Sequence, residues 1–153
     1  MELLELTEER TGWIEPLQAV WESSVRATHH FLQEADIVGL RPAVQQGLEQ
    51  VPRLAVVLVQ QRPVGFIGAA EDKVEMLFIA PDQRGCGRGR QMMQFAMEQW
   101  GCTMVDVNEQ NEQGVGFYQH LGFEVVGRSA LDEQGNPFPI LHLKHKETDR
   151  AVW

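Results

Sequence analysis

An apolar run at residues 74–79, VEMLFI, passes into the loop QRGCGRGR at 83–90 and then into a helix, and this passage limits what the chain can build. Gly85, Gly87 and Gly89 allow successive backbone N–H groups to converge where a helix N-terminus already favours an anion. Arg84, Arg88 and Arg90 crowd the same loop, and guanidinium groups suit phosphate oxygens. The segment reads as a pyrophosphate cradle between a strand and a helix.

The neighbouring elements follow from periodicity. Leu3 to Leu6 can form a first strand, and the spacing of Leu17, Val20, Trp21, Ser24, Val25 and Thr28 predicts a helix from Pro16 to about Thr28, with the proline in its first turn. A second helix is expected over Ile37 to Leu48. LAVVLVQ and PVGFIGAAE then flank the short turn QR as a β-hairpin. Met92, Met93, Ala96, Met97 and Trp100 mark a helix closed by Gly101, and at that spacing the methionines are core packing. TMVDVN is a buried strand, a short helix ends near His120, and FEVVGR and ILHLKH are strands joined through the turn-forming DEQGNP. The sum is a mixed α/β sheet.

A chain of 153 residues with 43% hydrophobic content suits one domain, expected over 1–146, with ETDRAVW at 147–153 as a loose tail. The start, MELLELTEER, has acids where a signal peptide needs basic residues, and no stretch has the length and apolarity of a membrane span. A cytoplasmic location is expected. Thirteen Lys plus Arg against twenty-two Asp plus Glu give a net charge of -9, the wrong sign for neutralising a nucleic-acid backbone and the right sign for attracting cationic amines. Cys86 and Cys102 are read as free thiols, and His29, His30, His120, His142 and His145 lack metal-ligand spacing, so no metal is expected.

Two nucleotide motifs fail on detail. A Walker loop needs Lys and then Ser or Thr where Arg90 and Gln91 stand. A dinucleotide fingerprint needs a third glycine where Arg90 stands, although Asp106 lies at roughly the distance of a ribose-binding acid and keeps a nicotinamide oxidoreductase among the alternatives.

The loop Arg84-Gly85-Cys86-Gly87-Arg88-Gly89, followed by NEQGVGFYQHLGF with Asn111, Gly114, Phe117, Tyr118, Gly122 and Phe123, resembles the GNAT N-acetyltransferase superfamily. Within it, ATHHFL, VNEQNEQGVGFY and the Asn-Pro-Phe-Pro run are similar to the bacterial YjaB-type members. The resemblance implies a mostly antiparallel sheet of about six to seven strands flanked by about four helices. It implies an enzyme that moves an acetyl group from acetyl-CoA to a primary amine by direct attack in a ternary complex. The alternative is a CoA-binding regulatory or interaction module without turnover.

The same resemblance assigns the cofactor to Arg84, Gly85, Cys86, Gly87, Arg88, Gly89 and Arg90, with the main chain of Phe78 and Ile79 and the side chain of Asn111 on the pantetheine arm. Cys86 fills the loop, since no acyl-enzyme is needed. Tyr118 is the proton donor to sulfur, because a phenol stays protonated at neutral pH yet lies near a thiol in acidity. Glu75 is the first candidate base and His29 the second, with Thr28, His29 and His30 at the acceptor pocket. Gly114 stands where the family usually has alanine, which predicts a weaker start to the helix carrying Tyr118. The acceptor is left open between a small amine and a peptide or protein amine, and a homodimer is compatible with the sequence.

Overall fold

Val, Leu, Ile and Phe dominate the stretch from 53 to 79, and in the computed structural model, which describes residues 2–146, it forms three antiparallel strands: β2 (Arg53–Val59), β3 (Arg62–Ala70) and β4 (Lys73–Ile79). The tail expected at 147–153 lies outside the described residues. β1 (Glu2–Glu5) pairs antiparallel with β2. β5 (Met104–Asn108), β6 (Phe123–Ser129) and β7 (Ile140–His145) complete a seven-stranded sheet of order β1-β2-β3-β4-β5-β7-β6. Among the described residues only β4 and β5 pair in parallel. That pairing has two residue pairs, Lys73 with Met104 and Val74 with Val105.

Helices cover the two faces. α1 (Thr11–Thr28) and α2 (Glu34–Gln50) pack on one side, where Leu17, Val20, Trp21 and Val25 recur at helical spacing and meet Val56, Phe66 and Leu48. α3 (Arg88–Gln99) and α4 (Glu112–His120) pack on the other. There Met92, Met93 and Ala96 join Val57, Ile67, Val105, Val107 and Leu143, so the methionine stripe is core. Trp100 closes α3 and donates its indole N–H to Glu5 on β1 at 3.1 Å.

The element starts differ from the expected ones for local reasons. α1 begins at Thr11, which puts Pro16 in the second turn on an exposed face. Its missing N–H leaves the Gly12 carbonyl without a helical donor, a loss that water can cover there. α2 begins at Glu34 because the Asp36 carboxylate accepts the Gln33 N–H at 2.9 Å, a reciprocal cap that the apolar spacing does not report. The β2–β3 turn falls on Gln60 and Gln61, with φ of 51° and 64°, one residue before the expected QR. Two left-handed residues match the twist of a tight hairpin.

Candidate active site

The loop after β4 enters α3 through left-handed glycines, Gly85 with φ 77° and Gly87 with φ 78°, and Gly87 is the N-cap of α3. The helix then offers its first-turn N–H groups outward, since the earliest helical bond in this turn is Gln91 N–H to the Gly87 carbonyl at 3.1 Å. A Cβ at Gly85 or Gly87 would meet no atom within 4 Å, so the space over the loop is open. Gly89 is the reverse case: a Cβ there would come within 3.2 Å of both Ile79 and Phe117, and the missing side chain lets α3 start hard against β4 and α4. Arg88 is held by Gln83 at 2.8 and 3.0 Å, and Arg84 reaches Gln113 at 3.4 Å. Converging N–H groups, open space and three guanidinium groups fit a pyrophosphate.

Beyond Val74 and Val105 no β4–β5 pair is formed among the described residues. The β5-facing backbone edge of β4 over Leu77, Phe78 and Ile79 is therefore open to a ligand. A cavity of about 490 Å3 occupies the opening, and Phe78, Ile79, Asn111, Phe117 and Tyr118 line it. The Asn111 carbonyl oxygen caps α4 by accepting the Gly114 N–H at 3.1 Å, which leaves its amide N–H groups as donors. A Cβ at Gly114 would lie 2.5 Å from the Asn111 amide nitrogen, so glycine is what allows the cap to fold over the helix.

Tyr118 is 7% exposed and packs edge-on against Phe117 and Phe123. Burial pushes its phenol above the ordinary tyrosine range. Among the described residues no fully enclosed side-chain N or O lacks a partner and no group takes the Tyr118 hydroxyl, so the hydroxyl opens on the cavity it lines.

The other end of the cavity is acidic. A β-bulge between the pairs Ala69–Val74 and Gly68–Met76 leaves Glu75 as the extra residue and turns it toward the cavity. Burial raises its pKa, Lys73 opposes that rise, and Glu133, Asp106 and Glu71 reinforce it. Asp106 lines the same end and is bonded to Lys73 at 3.0 Å and to His142 Nδ1 at 2.7 Å. From α1, Ser24, Thr28 and His29 close the wall. The Thr28 hydroxyl donates to the Ser24 carbonyl at 2.8 Å and so accepts from His29 Nδ1, also at 2.8 Å. That order leaves Nε2 with a lone pair. Burial, helped by the charges of Arg84 and His30, pushes His29 down to about 4.

The cavity thus gathers Tyr118, Glu75, His29, Thr28, Phe78, Ile79, Asn111, Arg84, Gly85, Gly87, Arg88, Gly89 and Arg90. Cys86 and His30 are exposed and do not line it. Five polar lining residues escaped the sequence reading as site residues: Ser24, Gln83, Asp106, Asn108 and Gln113. For Asp106 the signal existed, because strict alternation with Val105 and Val107 places it on the opposite sheet face from the core built with α3 and α4.

A family model, the acetyltransferase (GNAT) domain, matches residues 52–125. "Peptidyl-lysine N-acetyltransferase YjaB" of Escherichia coli (strain K12) is 42% identical over 131 residues, which cover 86% of this chain and 89% of that protein. The solution structure of apo-form YjaB from Escherichia coli aligns with a TM-score of 0.84 at 39% identity, over 95% of this chain and 99% of that one. The PaiA N-acetyltransferase from Thermoplasma acidophilum, solved in complex with coenzyme A, shares the fold with a TM-score of 0.67 at 19% identity, over 95% of this chain and all of that one, 100%. Matched along most of its length to such a relative, and carrying the loop and the open strand pair described above, the chain belongs to the GNAT acetyltransferase family.

Proposed function

We propose that the protein transfers the acetyl group of acetyl-CoA to the side-chain amine of a lysine in a peptide or protein. The observation that carries this reading is the polarity of one cavity: arginines and helix N–H groups at one end, Glu75 and Asp106 at the other, and Tyr118 along its wall. The acidic end suits an ammonium group. The relative YjaB, named for peptidyl-lysine N-acetylation, supports the same class of acceptor.

Acetyl-CoA, when bound, supplies an acetyl thioester, an acyl group already activated toward amines. In the proposed arrangement the first turn of α3 and Arg84, Arg88 and Arg90 hold the pyrophosphate, Cys86 contributing main chain only. The open edge of β4 at Phe78 and Ile79 and the Asn111 amide take the pantetheine arm as an added strand would be taken. Glu75 accepts the proton of the acceptor. A lysine of pKa about 10.4 stands roughly three units from its free form at pH 7, and a carboxylate of raised pKa at the mouth of the cavity is a stronger base for that task than an ordinary one. His29, neutral with its Nε2 lone pair free, is better suited to accept a hydrogen bond from the incoming ammonium than to carry its proton away. The Tyr118 hydroxyl donates to the position of the departing sulfur.

Gly87→Asp tests the reading, because it places a side chain and a negative charge in the cradle. Binding of acetyl-CoA, followed by calorimetry, should be lost in a folded Gly87→Asp protein. Unchanged affinity would remove the pyrophosphate assignment. Acetyl-CoA binding with transfer to small amines but to no lysine peptide would overturn the lysine acceptor, and binding with no transfer to either would replace the transferase with a binding module.

A further inference from the structure

β6 carries an irregularity that decides which of its side chains meets β7. Val125 pairs with Leu143, but the next pair is Gly127 with His142, leaving Val126 as an extra residue. One extra residue inverts the facing of everything after it. In an unbroken ladder Arg128 would share the face of His142. With the bulge, Ser129 does.

Ser129 Oγ lies 2.7 Å from His142 Nε2, and His142 Nδ1 lies 2.7 Å from Asp106 Oδ1. Lys73 Nζ sits 3.0 Å from Asp106 Oδ2 and supplies the counter-charge. A carboxylate has no proton to give, so in the neutral imidazole Nδ1 carries the hydrogen, Nε2 carries the lone pair, and the serine hydroxyl donates into it. Nucleophile, base and orienting acid in this order and at these separations are the arrangement of serine hydrolases, which is recognised by geometry and not by chain order.

The three residues come from β6, β7 and β5, adjacent strands at the end of the sheet. The opposite face of these strands is the one that α3 and α4 fill, through Val105, Val107 and Leu143. Ser129 is half-buried on a strand that is at the edge of the sheet among the described residues, and the outward N–H groups of such a strand can donate to an acyl oxygen. Neither Ser129 nor His142 lines the transfer cavity.

We infer that Ser129, His142 and Asp106 form a second site, one that hydrolyses small carboxylic esters arriving from solvent. Ser129 Oγ bonds to the acyl carbon while its proton passes to His142 Nε2. The ester C–O bond breaks and the alcohol leaves with that proton. Water then attacks the acylated serine through the same imidazole, and the carboxylic acid departs as the proton returns to Ser129 Oγ. The chemistry uses no coenzyme A and does not rest on the transferase reading.

The test uses the whole protein and 4-nitrophenyl acetate without acetyl-CoA. Nitrophenolate should be released at a rate linear in ester, as expected of a nucleophile without an enclosing pocket, with an acetyl adduct mapped to Ser129 by mass spectrometry. Ser129→Ala should lower that rate about 10²-fold, while lysine-peptide acetylation from acetyl-CoA stays at the wild-type level. His142→Ala should lose hydrolysis to a similar degree and regain part of it with added imidazole, a rescue that a merely structural histidine would not show. Hydrolysis by Ser129→Ala at the wild-type rate, or an adduct on the exposed Cys86 in place of Ser129, would overturn the inference.

Discussion

Burial moves Tyr118 and His29 in opposite directions, and both shifts fix a protonation state around neutrality. A phenol pushed upward stays a donor, and an imidazole pushed down to about 4 stays neutral. In the proposed reaction the shift also means that Tyr118 would give a hydrogen bond to the departing sulfur more readily than a whole proton. Tyr118→Phe should therefore keep the fold and the acetyl-CoA affinity and lower kcat about 10²-fold. Steady-state kinetics with a thioester of more acidic thiol checks the role, since the deficit should shrink with the better leaving group. His29 has a consequence for stability. Its folded-state pKa is depressed, so the unfolded chain binds more protons between about 4 and 6.5, and the contribution is complete above 6.5 and drains away as pH falls toward 4. His29→Asn should remove about 2 kcal/mol of that acid sensitivity, allowing for partial exposure, in denaturant melts at pH 7 and pH 4.5. Tyr118 was visible in the sequence because it sits in a spaced motif. The orientation of His29 was not, because it depends on a hydroxyl, Thr28, whose own proton is taken by a carbonyl one turn earlier.

Glycines and bulges set how the helices and strands meet around the cavity. Gly89→Ala would press a methyl group against Ile79 and Phe117, both of which line the cavity. The variant should lose about 1 kcal/mol of stability and bind acetyl-CoA about tenfold more weakly, readable from melting curves and calorimetry. The strands themselves were legible from apolar runs such as LAVVLVQ and VEMLFI, which the core requires whatever their partners. The start of α1 was not, since Gly12 and Pro16 argue against helix while Trp13 and Ile14 still pack on the core. The bulges at Glu75 and Val126 were equally hidden. Where a strand places its unpaired residue leaves composition and length unchanged and shows only as a change of phase, yet one bulge turns Glu75 toward the cavity and the other turns Ser129 toward His142.

Charge is distributed along the cavity in a way that the net value of -9 conceals. The arginine loop offers a local cationic site in an acidic protein, and Glu75, Asp106 and Glu133 form the acidic pole. Raising ionic strength from about 0.05 to about 0.5 M shortens the Debye length several-fold. The KM for a cationic lysine peptide should then rise about three- to tenfold while kcat changes little, and initial rates at several salt concentrations test this. The family was legible because the loop and the Tyr118 motif are contiguous segments. Asp106, His142 and Ser129 are dispersed over three strands and become neighbours only when the sheet forms. The two residue pairs that join β4 to β5 leave the sheet as two leaves with a short seam, β1 to β4 on one side and β5, β7 and β6 on the other. A ligand lying in the gap touches both leaves and acts as a staple across the seam. At about 100 times its Kd it would add about 2.7 kcal/mol against their separation, tying the endurance of the C-terminal leaf to how much acetyl-CoA surrounds the protein.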